Sequence, residues 1–481
     1  MNRRNFLKTA SVATAAIGYS PVAGAQENLI PFLNDISGEI DLSAKAMNAQ
    51  MLSGDPTKML CFEGSVISGK SSILRSTPGY LGPTIHARTG EKLNINFINQ
   101  TGEDSIVHWH GLHLPEDQDG HPSFAIGNNE TYEYSFKIEN RAGLYWYHPH
   151  PHGRTGYQVY HGLAGLFVVR DDEEDALNLP SGDNEVFMVF QDRHFGEDNQ
   201  LIYIQSGHDI MMGKIGNRLV VNGTFPEPHK AKKEAYRLRL LNGGNALTYR
   251  LQWSDGSPIH LIGTDGGLLE KRVELDSILF SPGERLDLLV DFSSKQLDDN
   301  VELLSIPIVD NGTSQPFAIY QFNVAYEGSK QFSFPNNLSS VEKILPSEAV
   351  NKDAPKVFSL FPKQGIGWTI DGLPYEMNAA RPKETIKLGT TEIWEFDLTN
   401  AGMIHPMHVH GSQFQVLERV NGPYSDGLVY DGGWKDTVAV LPGDKVRIIK
   451  RFNDHPGKFL FHCHLLEHED NSMMRNFVVE E

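Results

Sequence analysis

The 481-residue sequence predicts an all-β fold. Three observations carry that reading: short runs with period-two alternation or dense β-branched and aromatic content, Gly/Pro turn signals between them, and a scarcity of long helical periodicity. In chain order the runs are KLNINFIN (92–99), TYEYSFKI (131–138), GLAGLFVVR (162–170), YRLRLLN (236–242), RLDLLVDF (285–292), EIWEFDLTN (392–400), QFQVLERV (413–420) and KVRIIKRF (445–452). Successive side chains of a strand point to opposite faces, so such runs can bury one face in a core. Thr89-Gly90, Pro282-Gly283-Glu284 and Pro442-Gly443-Asp444 mark turns just before three of them. The 45 glycines and 26 prolines fit a chain that turns often. Many short strands joined in this way make sandwiches or barrels.

The length suggests two to four domains, and an internal repeat narrows the number. HWHG (108–111) and HVHG (408–411) each follow a strand and a short turn. Further on, an aromatic strand leads into a second H-x-H in each, GLYWYHPH (143–150) and GKFLFHCH (457–464), followed by a closing strand, GLAGLFVV and RNFVV. The middle of the chain has similar strand spacing without H-x-H. Three related domains are expected, at about 30–170, 171–325 and 355–481, with the polar, strandless stretch 326–354 as a linker.

Composition excludes several classes. With 40% hydrophobic and 21% charged residues the chain reads as neither disordered nor a membrane protein. Its first residues, MNRRNFLKTASVATAAIGYSPVAGAQ, read as a targeting segment: Arg3-Arg4, a short apolar stretch from Ala10 to Tyr19, and Ala23-Gly24-Ala25 as a cleavage site. Arg3-Arg4 before Phe6-Leu7-Lys8 is similar to the twin-arginine export signal, although Asn2 stands where Ser or Thr is commoner; a general secretory signal is the alternative. Removing residues 1–25 takes the net charge from −19 to −22 by loss of Arg3, Arg4 and Lys8. A body so acidic repels nucleic acid and anionic membranes. A periplasmic or secreted monomer is expected, with the export machinery as a partner.

Ten of the 20 histidines fall in four clusters: His108 and His110; His148 and His150; His405, His408 and His410; His462, His464 and His468. An H-x-H on a strand places two imidazoles on one face, about 6–7 Å apart. Imidazole suits copper, zinc and iron alike. The set His405, Cys463, His468 and Met473 selects copper, because a thiolate, imidazoles and a weak axial thioether make a copper electron-transfer site. In the segment HCHLLEHEDNSM (462–473) Cys463 stands between two histidines, so in an extended strand it faces one site while they face another. If Cys463 is a ligand, Cys61 is a lone thiol and no disulfide forms.

HWHGLH, WYHPHPHG, HPMHVHG and HCHLLEHEDNSMM are similar to the four copper-binding signatures of the multicopper oxidases, and the resemblance covers essentially the whole chain after the targeting segment. It points to the three-domain bacterial enzymes, laccases and periplasmic cuprous oxidases. The resemblance implies three cupredoxin-like Greek-key β-sandwich domains and four copper ions. It assigns a type 1 copper to His405, Cys463, His468 and axial Met473, a type 2 copper to His108 and His408, and a type 3 pair to His110, His148, His150, His410, His462 and His464. His113, His121, His152 and His161 match no ligand position. It also implies electron flow from the type 1 copper through Cys463 to His462 and His464, and reduction of dioxygen to water. Asp119 and Glu469 stand where relatives keep proton donors. Asp436, in WKDT, matches a position where relatives bind a substrate metal ion or contact organic substrates.

The reductant is less clearly written. No methionine-rich insert lies between the linker and His405, where only Met377 and Met403 occur. Soft thioethers select Cu(I), so phenols and aromatic amines are the expected substrates, with cuprous or other metal-ion oxidation as the alternative. An exported non-enzymatic scaffold or a copper-sequestering protein would not need this complete ligand set.

Overall fold

The alternation that marks residues 92–99 is realised as the strand Lys92–Gln100, whose Leu93, Ile95 and Phe97 are buried while the residues between them are partly exposed. The computed structural model describes residues 37–308, 315–423 and 428–481; the targeting segment read at residues 1–25 lies outside them. Among the described residues strands dominate, the α-helices have six residues or fewer, and no helix is long and apolar enough to cross a membrane.

The strands form six sheets. Two hold the strands from Gly38 to Arg170, around a core that includes Ile40, Phe97, Trp109 and Phe167. Two hold the strands from Glu185 to Tyr326, around Leu238, Trp253, Leu261 and Phe322. The last two hold the strands from Lys356 to Glu480, around Phe358, Trp394, Phe461 and Phe477. Each pair of sheets carries two parallel pairings amid antiparallel neighbours. In the first they join Gly38–Ala49 with Lys92–Gln100 and Thr84–Arg88 with Gly165–Arg170. In the second they join Glu185–Arg193 with Ala235–Asn242 and His229–Lys232 with Phe317–Tyr326. In the third they join Lys356–Lys363 with Thr390–Asp397 and Thr385–Lys387 with Met474–Glu480. The repeat is therefore structural in the middle of the chain too, where no H-x-H announces it. These are cupredoxin-like sheets.

Two departures from simple alternation have physical causes. The run 162–170 becomes a strand only from Gly165, because Gly162 (φ 125°) turns the chain out of the short helix Thr155–Tyr160. The run YRLRLLN would put Arg237 and Arg239 in solvent, yet both are buried. Arg237 meets Asp287 at 2.5 Å and Glu174 at 2.6 Å, so the guanidinium is paired rather than solvated.

One buried side chain ties the three sheet pairs together. Arg285, 1% exposed, donates from Nε to the Leu144 carbonyl at 3.0 Å, from Nη1 to Asp436 Oδ1 at 2.6 Å, and from Nη2 to the Asp265 carbonyl at 3.0 Å. Its second bond to Asp436 makes the pair bidentate. Replacing one member of a buried ion pair strands the other charge and costs about 3–5 kcal/mol. Arg285→Met is therefore expected to lower the unfolding free energy by an amount of that order, measured by guanidinium denaturation followed through tryptophan fluorescence. An unchanged transition would show that the pair carries no stability.

Candidate metal centre

Strand register builds the site. In the third sheet pair His408 stands directly opposite His462, and Met407 opposite Cys463. In the first, His108 stands opposite His148. The two H-x-H units of each half are thus paired across neighbouring strands in the same register, and the second histidine of every motif lies just past its strand. Within motifs the ring centroids are 5.6 Å apart for His108 and His110, 6.0 Å for His148 and His150, 4.8 Å for His408 and His410, and 5.7 Å for His462 and His464.

The two halves meet face to face. His108 stacks on His410 and His110 on His408, each at 3.8 Å. The Nε2 atoms of His108 and His408 are 3.3 Å apart, and those of His410 and His462 3.1 Å apart. His150 Nε2 is 3.4 Å from His462 Nε2, and the His464 ring is 5.0 Å from that of His110. All eight imidazoles are at most 1% exposed. Burial lowers the pKa of every one, His148 to about 4 and His462 to about 3, so the rings are neutral with lone pairs free.

Backbone carbonyls and carboxylates orient them. His108 Nδ1–H donates to the Asp119 carbonyl at 2.6 Å, His408 Nδ1–H to the Asp436 carbonyl at 2.8 Å, and His148 Nδ1–H to the Pro149 carbonyl at 2.9 Å. His410 Nδ1–H donates to Asp119 Oδ2 at 2.7 Å. In each case Nε2 is left as the ligating atom. His110 is turned the other way: Nε2–H donates to Asp436 Oδ1 at 3.0 Å, and Nδ1 has no hydrogen-bond partner. His148 Nε2 and both ring nitrogens of His464 also lack partners. Buried nitrogens this crowded and this poorly partnered fit metal ligation. Gly111, directly after His110, has φ 86°, and a Cβ there would meet Arg285 Nη2 at 2.7 Å.

A second donor set lies one residue away. His405 Nδ1 is 3.3 Å and His468 Nδ1 3.6 Å from Cys463 Sγ, with the three residues' donor atoms within 4.8 Å of one another. The turn into the short helix Leu466–Asp470 brings His468 back over Cys463. Met473 is fully buried in the core cluster that holds Cys463, and its carbonyl accepts the Cys463 amide at 3.0 Å. His468 Nε2–H donates to the Met211 carbonyl at 3.0 Å, which leaves Nδ1 facing the sulfur. Burial pushes the Cys463 thiol well above its ordinary value, so a cation beside it is needed to make the thiolate. The soft sulfur and two imidazoles fit copper. Cys61 and Cys463 are both free and buried.

Comparison with known proteins agrees with this geometry. Two family models, each described as multicopper oxidase, match residues 66–174 and 350–481. A multicopper oxidase of Staphylococcus haemolyticus is 33% identical over 83% of this chain and 83% of its own, and a laccase of Bacillus subtilis 29% identical over 82% of this chain and 87% of its own. The crystal structure of McoA multicopper oxidase from Aquifex aeolicus has a TM-score of 0.80 and 37% identity, covering 93% of this chain and 97% of that one. The chain belongs to the multicopper oxidase family. This multicopper oxidase is a copper-dependent oxidoreductase with dioxygen as electron acceptor.

The proton-donor candidates lie beside the imidazoles. Asp119, 1% exposed, holds His410 through Oδ2, while Oδ1 has no hydrogen-bond partner; burial raises its pKa well above the usual carboxylate range. Glu469, also 1% exposed, lies 3.1 Å from His462 Nδ1 and 3.5 Å from His150 Nε2, and burial followed by the Asp470 charge raises its pKa. Asp436 departs from expectation. It is 1% exposed and pinned between Arg285, His110 and Thr437, so it faces inward and cannot meet a substrate in solvent. Its WKDT motif leads into the strand Thr437–Val440, which pairs with the ligand strand His405–Val409. Of the unmatched histidines, His121 is buried against Asn476, His113 pairs with Asp454, His161 packs on Tyr157 and His152 on Tyr375.

Sequence reading missed Arg285, Trp368 and Met211. Trp368 packs on His405 at 4.3 Å and donates to the same Met211 carbonyl at 2.8 Å. Met211 and Met212 end the helix Gly207–Met212, far upstream of the stretch between the linker and His405 in which no methionine-rich insert occurs. Only an unexplained Met-Met pair could have drawn attention to them. Cys463→Ser removes the thiolate donor without emptying the other cluster, so copper-loaded variant protein should hold one copper fewer than wild type by atomic absorption. An equal copper content would detach Cys463 from metal binding.

Proposed function

We propose that this multicopper oxidase is a laccase-type enzyme, oxidising phenols and aromatic amines one electron at a time and reducing dioxygen to water. The observation that carries the reading is Cys463, whose sulfur sits in one donor set while its two sequence neighbours, His462 and His464, sit in the other. His405, Cys463, His468 and Met473 would hold the type 1 copper, His108 and His408 the type 2 copper, and His110, His148, His150, His410, His462 and His464 the type 3 pair, four ions in all. Bound there, copper supplies the one-electron chemistry that joins an organic reductant to dioxygen. The likeness to the laccase of Bacillus subtilis supports the substrate class. Export to the periplasm through the twin-arginine route is the setting that the first residues favour.

The chain's own task in oxygen reduction is proton supply. Asp119 and Glu469 are buried carboxyls beside imidazoles, kept from ionising by burial, and so hold a proton that bulk water would remove. Asp119→Asn keeps an acceptor for His410 but cannot exchange that proton. Oxygen consumption with a phenol is expected to fall by about 10²-fold or more, in line with the weight of a positioned acid, with the visible absorption of the type 1 copper unchanged. Full oxygen consumption in the variant would take Asp119 out of the reaction.

A second reading rests on Met211 and Met212. Met211 packs against the core of the type 1 donor set, its carbonyl accepts from His468, and Met212 is 45% exposed, so two methionines are supplied here by a helix rather than by an insert. Soft sulfur favours Cu(I). Under the laccase-type reading Met212→Leu leaves phenol turnover and Cu(I) turnover in the same ratio as wild type. A selective loss of Cu(I) turnover in parallel oxygen-electrode assays would establish cuprous oxidation instead.

A further inference from the structure

Outside the two donor sets of the oxidase lies a third grouping of metal-binding side chains: His113, Glu139, Asp454 and His455. They come from three separate connections, after the first H-x-H motif, after the strand Thr131–Lys137, and after the strand Asp444–Phe452. His113 Nε2–H donates to Asp454 Oδ1 at 3.0 Å. In neutral imidazole that bond leaves the lone pair on Nδ1, which faces Glu139 Oε2 at 4.0 Å. The same oxygen is 4.0 Å from His455 Nε2, a buried ring nitrogen with no hydrogen-bond partner. The two rings stand edge to face with centroids 4.9 Å apart.

A carboxylate oxygen accepts only, and so does a neutral ring nitrogen presenting its lone pair. With both ring nitrogens presenting lone pairs, Glu139 Oε2 lies 4.0 Å from each, and a cation among the three offsets their mutual repulsion. Bonds of about 2 Å from one ion to nitrogen and oxygen place its donors roughly 3–4 Å apart, close to the spacing here. Asp454 occupies the place of the carboxylate that orients a metal-ligating imidazole from behind. Nearby arginines are already engaged: Arg451 pairs with Glu342 and Glu348, and Arg141 with Glu173. Asp117 adds a further negative charge acting on His455.

The position is accessible. His113, Glu139 and Asp454 line a cleft of about 310 Å³. A smaller space of about 20 Å³ shares His113 and Asp454 and is also lined by His455, Lys450 and His410. The grouping therefore stands between the cleft and the edge of the buried imidazoles.

We propose that His113, Glu139 and His455 form a separate binding site for a divalent cation of the zinc or copper(II) class, with Asp454 as the residue that positions His113. Two imidazoles and one carboxylate leave a fourth position for water. The site is distinct from all twelve copper ligands assigned above, and its occupancy is independent of theirs.

Zinc titration of the copper-loaded enzyme by calorimetry, with copper content measured before and after, tests the assignment. Wild type is expected to bind one zinc ion per chain at this site with copper content unchanged. His455→Ala and Glu139→Gln should each weaken that binding at least ~10-fold, and Asp454→Asn by about 10-fold, the usual effect of losing an orienting partner. Phenol turnover without zinc should match wild type in all three, which shows them folded. Absence of a zinc site in wild type, or zinc binding of equal strength in His455→Ala and Glu139→Gln, overturns the proposal.

Discussion

Eight neutral imidazoles packed into one buried space are the constraint on which the rest of the molecule depends. Each ring has two nitrogens to satisfy, and all eight rings are closed off from bulk water. The protein resolves this by fixing one nitrogen of most rings on a carbonyl or carboxylate, as His108 and His410 are fixed on Asp119 and His408 on the Asp436 carbonyl. The other nitrogens then converge. A slip of one residue by either strand in the pairing of His405–Val409 with Gly457–Cys463 would turn that strand's histidine, His408 or His462, to the opposite face and separate the pair. The register of two short strand pairs thus decides whether a metal centre exists.

Holding that register requires the neighbouring sheets to stay put, and charged side chains do much of this from inside. Arg285 comes from the middle of the chain, is itself no ligand, and reaches both the strand of Leu144 and the strand entrance at Asp436. Asp436 in turn contacts His110, so a residue that first reads as a substrate contact is better understood as the link between the ion pair and a ligand. Lys435 beside it pairs with Asp265 and Glu284 at 3.1 and 3.3 Å. Buried charges are costly unless fully paired. Their concentration around Asp265 and Asp436 makes the junction intolerant of displacement. Among the described residues the middle sheets supply none of the members of the two donor sets, and this junction is what they contribute.

The all-β class and the strand runs were legible because alternation is a local pattern, and the copper-ligand candidates could be named because H-x-H spacing and the donor types of Cys463 and Met473 are local too. The structure brings the ten histidines and Cys463 into two groups, which spacing alone could not guarantee. What stayed hidden depends on distance in sequence. Nothing within SPGERLD says that Arg285 will meet Asp436, 151 residues on. Nothing near Trp368 says that it will share a carbonyl of Met211 with His468. Nor does the run YRLRLLN say that Arg237 is buried, because its partners Glu174 and Asp287 are far apart in the chain.

Substrate choice belongs to that hidden class. The ligand His468 is 1% exposed, and its outer nitrogen is covered by the Met211 carbonyl of the helix Gly207–Met212. A residue of the middle segment therefore lies between His468 and whatever approaches it from that side. At the helix start Asp209 Oδ2 accepts the backbone amides of Gln205 at 2.8 Å and Ser206 at 3.2 Å, and Asp209 also lies 3.7 Å from Lys214. A six-residue helix has little intrinsic stability, so these contacts and the two hydrogen bonds from Trp368 and His468 to Met211 decide how firmly the cover sits. The Cys463 donor set is thus covered on its His468 side by a short helix of the middle segment that ends in Met211 and Met212.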